Sequence, residues 1–255
     1  MISYAPQLHC AEQAARRAGE LLRSRFYDAE RVVDAHLAHD VKLRLDKECQ
    51  QLICHELQAH YPDYSFLGEE GGSRGSVEWV VDPLDGTVNY YYGLPLFCVS
   101  IALLVDGVAQ LGCVYAPMLD ECFTALRGEA ALLNGRPICV SSRAEMARAV
   151  IFAGHGAHDG SGEAGVRRFA QLSARVCKMR ILGSAALSLC YIAAGRLDAY
   201  IEQRIHLWDF AAARVILESA GGTLEYTPTN STGLTGAVLA WNGRLPLHET
   251  LAEIC

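Results

Sequence analysis

Two apolar runs, Cys98–Val105 and Leu111–Tyr115, are joined through Asp106-Gly107, and no other stretch of the 255-residue chain constrains the fold as tightly. Asp-Gly supplies the two positive-φ positions that a tight hairpin turn demands, so the runs read as paired strands. Glu78–Val81 reads as a further strand. Helical spacing precedes them: Leu8, Ala11, Ala14, Ala15, Ala18, Leu21 and Leu22 share one face, with Glu12, Arg16, Arg17, Glu20 and Arg23 mostly opposite. A second helix is predicted from about Asp46 to His60 on the stripe Cys49, Leu52, Ile53 and Leu57, with Pro62 marking its end. Asn134-Gly135 marks another turn, and the polar stretch Ser141–Ala147 marks a soft boundary between subdomains at 1–142 and 143–255. Beyond it the pattern predicts a strand at Ala149–Ala153, a helix at about 165–172 and a helix opening at Ser184. A strand at Ala199–Ile201 and a helix at about 209–220, closed by Gly221-Gly222, follow. Strands alternating with helices predict a mixed α/β protein.

Charge decides which partners are plausible. The net charge is −7, so the chain lacks the long-range attraction that nucleic acid or an anionic membrane requires, and neither partner is expected. Phosphate, if bound, must be held locally by metal ions or backbone N–H groups. The ten cysteines are scattered, with no Cys-x-x-Cys and no zinc-type pair, and Cys98, Cys113 and Cys190 sit in apolar stretches as small hydrophobes. No basic region followed by an apolar stretch opens the chain, and Leu94–Val105 is too short to span a bilayer. A reducing cytoplasm is the expected location.

Three acidic clusters carry the chemistry, and each is ordinary alone. Leu67-Gly68-Glu69-Glu70-Gly71-Gly72 reads as a solvated loop. Val81-Asp82-Pro83-Leu84-Asp85-Gly86-Thr87 reads as a strand running into a turn. Trp208-Asp209-Phe210 reads as an N-cap opening an apolar helix. Together they change meaning. Carboxylates three residues apart at a strand end can converge on one divalent cation, and Gly-Thr can open a helix whose free N–H groups bind an anion. Mg²⁺ takes oxygen ligands, and a pair of such ions can clamp the attacking and leaving oxygens of a phosphoryl transfer. No His/Cys set competes.

In that order, Gly68-Glu69-Glu70, Trp79 to Asn89 and Trp208-Asp209 with Ala220-Gly221-Gly222 resemble the inositol monophosphatase family of Mg²⁺-dependent, lithium-sensitive-type phosphatases. Gly93 to Ile101, Asn134-Gly135, Gly183-Ser184-Ala185-Ala186 and Ala194-Gly195 extend the resemblance over nearly the whole chain. It implies a layered αβαβα sandwich with an α+β N-terminal half, and a homodimer. It also implies roles. Glu69, Asp82 and the Leu84 carbonyl would hold an activating Mg²⁺, and Asp82, Asp85 and Asp209 a second, with two or three ions in all. Asp46 and Thr87 would orient the water that attacks phosphorus, with Glu69 beside them, and the N–H groups of Gly86 and Thr87 would receive the phosphate. Gly183, Ser184, Ala185, Glu202 and Asp209 would line the pocket for the alcohol part of a small phosphorylated substrate.

One segment departs from the pattern. The family run Asp-x-Val-Thr-x-x-Asp becomes Asp40-Val41-Lys42-Leu43-Arg44-Leu45-Asp46, which puts two cations around a Leu in place of Thr. His155 and His158, with Asp159, fall near the expected pocket but read as an exposed loop, and Tyr90-Tyr91-Tyr92 fits a surface cluster or an interface equally. The expected reaction is hydrolysis of a cyclitol or sugar monophosphate, foremost inositol 1-phosphate. Fructose 1,6-bisphosphate, histidinol phosphate and phosphonucleotides are the alternatives, and a metal-binding scaffold without turnover is the alternative outside catalysis.

Overall fold

A computed structural model of the chain describes residues 3–28, 32–36, 41–153 and 162–254. The expected helix at the start runs as α1 (Ala5–Arg25), opened by Pro6 in its first turn. A short ribbon of β1 (Val33–His36) and β2 (Val41–Leu43) leads into α2 (Arg44–His60). Then come β3 (Ser65–Gly68), β4 (Gly71–Gly72), β5 (Val77–Asp85), the one-turn α3 (Thr87–Tyr91), β6 (Cys98–Val105) and β7 (Val108–Ala116). β8 (Glu121–Leu126), β9 (Leu132–Leu133) and β10 (Arg136–Pro137) complete an eight-stranded sheet in the order β10-β9-β8-β7-β6-β5-β3-β4. All its pairings are antiparallel except β3 with β5. Asp106 and Gly107 both take positive φ, as the β6–β7 turn requires, and Asn134-Gly135 does the same between β9 and β10.

The second half carries β11 (Val150–Ala153), α4 (Gly162–Ser173), β12 (Lys178–Arg180), α5 (Ala185–Ala193), β13 (Ala199–His206) and α6 (Leu207–Ser219). β14 (Thr223–Pro228), β15 (Thr235–Trp241) and α7 (Leu247–Ala252) follow. Its five strands order as β12-β11-β13-β15-β14, with β11 parallel to both neighbours.

The strands β5, β6 and β7 are mostly apolar because both sheet faces are covered. Trp79, Val81, Val99, Ile101, Leu103, Leu111 and Cys113 pack under α1 and α2, where Ala11, Ala14, Ala15 and Ala18 allow close approach. Their alternating neighbours Val80, Cys98, Ala102 and Val114 face α5 and α6 instead. Those two helices touch strands of both sheets. A third cluster, with Ile151, Leu172, Ala199, Trp241 and Leu247, packs α4 and α7 on the far side of the second sheet. The layers therefore run αβαβα. A Cβ on Gly112 would run into the backbone carbonyl of Ala212, so glycine is what lets α6 lie against β7.

Several boundaries differ from the sequence reading. β5 continues through Pro83 to Asp85, with an irregularity in its pairing to β6 between Asp82 and Asp85, rather than stopping at Val81. β13 is much longer than Ala199–Ile201, and β12 carries no apolar alternation by which to recognise it. Tyr90 is core, its hydroxyl donating to the Leu22 carbonyl oxygen at 3.0 Å, while Tyr92 is exposed. Position 142/143 falls between β10 and β11, but α5 and α6 from beyond it help cover the first sheet. No described helix is long and apolar enough to cross a membrane.

Candidate active site

Three helix beginnings supply the acidic residues with fixed positions. At α2 the N-cap is Leu43, and Asp46, at the third helical position, reaches back to accept its N–H at 2.8 Å. At α6 the N-cap is His206, and Asp209 accepts the His206 N–H at 2.8 Å. Asp209 is therefore not the N-cap itself but the residue that closes the first turn from inside. At α5 the N-cap is Ser184, and the partner is distant in sequence. Asp85 accepts the Ser184 hydroxyl at 2.6 Å and the N–H groups of Ala185 and Ala186 at 3.1 and 2.8 Å. A carboxylate at a helix N-terminus satisfies donors the helix cannot and meets the positive end of its dipole.

Asp82 and Asp85 leave β5 where its pairing with β6 breaks register, which gives both carboxylates room at the strand end. Asp82 accepts the Leu84 N–H at 2.9 Å. Gly86 takes φ +97°, and a Cβ there would press on the Leu96 and Gly183 carbonyl oxygens, so Gly86 alone can turn the chain from β5 into α3. Asn89 fastens this turn to the second half by donating to Leu96 O at 2.7 Å and Leu182 O at 2.6 Å.

The result is a cleft of about 610 Å³ lined by Glu69, Asp82, Leu84, Asp85, Gly86, Thr87, Gly183, Ser184, Ala185, Glu202 and Asp209. Those are all the sequence-expected positions except Asp46, which lies buried at 2% exposure behind the lining. The Thr87 hydroxyl donates to the Leu84 carbonyl oxygen at 2.9 Å, and no hydrogen bond joins it to Asp46. The cleft also takes residues that the motifs did not mark. Phe152 and Tyr200 stack at 5.1 Å, His206 lies flat against Trp208 at 4.8 Å, and Ile181 and Arg204 complete the wall. Arg204 makes no ion pair among the described residues. Arg44 points elsewhere, toward Asp34 at 3.8 Å, while Lys42 lines the cleft. His155, His158, Asp159 and Asp40 lie outside the described residues. A second cleft of about 680 Å³, against Phe210, Arg214 and Glu218 of α6, holds none of the expected site residues.

Burial decides the electrostatics. It pushes the carboxyls of Asp82, Asp85 and Asp209 above their usual range. Repulsion adds to this at Asp82 from Glu69, Asp85 and Asp209, and at Asp209 from Asp85. At Asp85 the donors from Ser184, Ala185 and Ala186 work against it. Asp46 is pushed up to about 7, chiefly by burial and against the Leu43 N–H bond, and its Oδ1 has no hydrogen-bond partner. Lys42 is the counterweight. Burial alone would lower its pKa, but its ammonium pairs with Glu69 and, at 3.0 Å, with Glu70, and the net effect is upward. Among the described residues no three Cys, His, Asp or Glu side chains stand together closely enough to hold a metal ion as they are. Glu69 is held by Lys42, and Asp85 and Asp209 are turned to helix N-termini. The chemistry of the donor set still suits a hard cation: it offers oxygen atoms only, and burial followed by repulsion from neighbouring carboxylates raises Asp82 and Asp209.

A model of the inositol monophosphatase family matches residues 4–254. The chain belongs to that family. Inositol monophosphatases are metal-dependent phosphatases, and this chain is a phosphoric monoester hydrolase of that kind. Inositol monophosphatase 1 of Solanum lycopersicum is 38% identical over 234 residues, covering 88% of this chain and 85% of the relative. Nus factor SuhB of Escherichia coli K12 is 34% identical over 248 residues, covering 94% and 92%. The structure of the extragenic suppressor protein suhB from Bartonella henselae superposes with a TM-score of 0.89 at 32% identity, covering 98% of both chains. The αβαβα layering is thus the inositol monophosphatase fold.

Proposed function

We propose that the chain hydrolyses a cyclitol or sugar monophosphate, foremost inositol 1-phosphate, with Mg²⁺ held by Glu69, Asp82, Asp85, Asp209 and the Leu84 carbonyl oxygen. The observation that carries this reading is the gathering of buried, mutually repelling carboxylates around the Gly86–Thr87 turn. Bound there, Mg²⁺ supplies positive charge to the transferring phosphoryl group and its leaving oxygen and lowers the pKa of a water ligand. The N–H groups of Gly86 and Thr87, at the opening of α3, receive phosphate oxygens. Thr87 keeps lone pairs on its hydroxyl oxygen after donating to Leu84, so it can accept from the attacking water. By the family resemblance Asp46 works with Thr87 to orient that water, from its buried place behind the cleft lining. Gly183, Ser184 and Ala185 form the wall opposite Glu202, whose carboxylate accepts hydrogen bonds from ring hydroxyls.

Arg204 favours a second reading. It lines the same cleft two residues beyond Glu202, within an irregularity in the β13–β15 pairing, and a second anionic group on the substrate would suit it. Fructose 1,6-bisphosphate is the substrate that reading names. Relatives bearing the name Nus factor add a role outside hydrolysis, against which stands the −7 net charge. A homodimer belongs to the proposal through the family resemblance.

Phosphate release from inositol 1-phosphate, fructose 1,6-bisphosphate, histidinol phosphate, a phosphonucleotide and an aryl phosphate, with and without Mg²⁺, tests the assignment. Inositol 1-phosphate should be preferred. Glu202→Gln should raise its KM by roughly tenfold or more while leaving the aryl phosphate nearly unchanged, since only the former loses hydroxyl contacts. A wild-type preference for the bisphosphate, lost in Arg204→Ala, moves the assignment to the second reading.

A further inference from the structure

Two cations of the chain itself line the acidic cleft, Lys42 and Arg204, and Lys42 is the one paired with carboxylates there. Lys42 lies on β2, one residue before the N-cap of α2, and its side chain is about a quarter exposed, at 27%. Its ammonium touches two acceptors with different attachments. Glu69 lines the cleft and adds to the repulsion that raises Asp82. Glu70, 11% exposed, is not among the lining residues and is anchored from behind, its backbone N–H donating to the Gln50 side-chain oxygen at 3.0 Å. A divalent ion on Glu69 would meet the ammonium at close range, and two cations sharing one carboxylate repel. The ammonium has a second acceptor ready, so it can leave Glu69 without becoming unpaired.

We propose that Lys42 is a tethered cation that shares Glu69 with the divalent ion and withdraws onto Glu70 when the ion binds, so that the pair Lys42–Glu70 sets how tightly the site holds metal. The inference rests on the metal assignment of Glu69 made above. Lys42 is a positioning residue: it acts on the ion through Glu69. In the metal-free chain it keeps Glu69 turned into the cleft and partly neutralised. In the loaded chain its remaining positive charge weakens the hold on the ion.

Mg²⁺ binding by isothermal titration calorimetry, without substrate, provides the test on wild type, Lys42→Met, Lys42→Arg and Glu70→Gln. Removing the charge in Lys42→Met should tighten Mg²⁺ binding by about tenfold or more. Lys42→Arg, which keeps a cation there, should stay within a few-fold of wild type. Glu70→Gln removes the place to which the ammonium withdraws and should weaken binding. A merely structural role for these residues predicts weaker binding in both Lys42→Met and Glu70→Gln, and that result, or equal affinities in all four proteins, overturns the proposal. Should Lys42→Met not fold, opposite shifts are replaced by one comparison: unchanged Mg²⁺ affinity in Glu70→Gln then overturns it. If wild type and all variants bind no Mg²⁺, the metal assignment falls and the inference with it. Binding by Lys42→Met but not by wild type supports the inference in its strongest form.

Discussion

Asp46 shows how one side chain can tie stability to pH. Its carboxyl titrates near 7 in the folded chain because it is buried, against about 4 when exposed in the unfolded chain. The folded state therefore binds the proton more tightly, and ionisation costs stability progressively as pH rises from about 4 to 7. Metal-free wild type should gain stability as pH falls from 8 toward 6, and Asp46→Asn, which has no proton to lose, should gain on wild type as pH rises. Urea unfolding in EDTA at several pH values measures both, with a difference of about 1.4 kcal/mol per pH unit expected below 7. His206 works in the opposite direction, since burial lowers its pKa and the unfolded chain protonates first below about 6.5; the comparison of variant with wild type cancels its effect. Glu69, Asp82, Asp85 and Asp209 were legible in the sequence because three acidic turn clusters contain them, while Asp46 and Glu202 were legible only through the family resemblance. The side chains that share their cleft were not. Phe152, Tyr200 and Arg204 carry no motif, and only the pairing of β13 with β11 and β15 brings them to the wall. Lys42 was visible as a departure, but its reach to Glu69 depends on where β2 ends, and no local pattern encodes that.

At the scale of elements, α2, α5 and α6 begin beside the carboxylates to which the proposed function gives the chemistry. The same hydrogen bonds that close these helices hold Asp46, Asp85 and Asp209 in place. Ser184 is the most exposed to test, because its hydroxyl accepts the Leu187 N–H at 3.4 Å and donates to Asp85. Ser184→Ala should lose the cap and leave buried Asp85 one donor short, costing about 1–3 kcal/mol of stability in urea unfolding. It should also reduce turnover, since Asp85 then keeps two backbone N–H groups and the weak Cys98 thiol donor at 3.5 Å. The helix starting at Ser184 was readable from the residue itself. The start of α6 was misplaced by two residues, because an Asp before an apolar run looks the same from the N-cap as from the third position of a capping box. The continuation of β5 through Pro83 was hidden for a related reason: proline ends ordinary strands, and only the broken register with β6 accommodates it.

For the whole molecule, the cleft joins the two halves of the chain. Asp82 and Asp85 come from the eight-stranded sheet, Asp209 and Ser184 from the helices that also touch the five-stranded one. A cation bound only by the native arrangement adds stability by mass action and relieves repulsion at Asp82 and Asp209. Millimolar Mg²⁺ should therefore raise the thermal midpoint measured in EDTA by several degrees, roughly the shift that 1–3 kcal/mol produces at this size. Asp209→Asn should blunt that rise. The layer order itself was legible only through the family resemblance, because alternation of helices and strands fixes the class without saying which sheet each helix covers. The shared middle layer also sets a timetable for synthesis. β10 ends at Pro137 and α5 begins only at Ala185, so the growing chain completes its first sheet while Val80, Ala102, Val114 and Phe123 still lack their cover. Until the last third leaves the ribosome, that face is bare oil in water, and the newborn chain is most in need of a chaperone after its larger sheet has already formed.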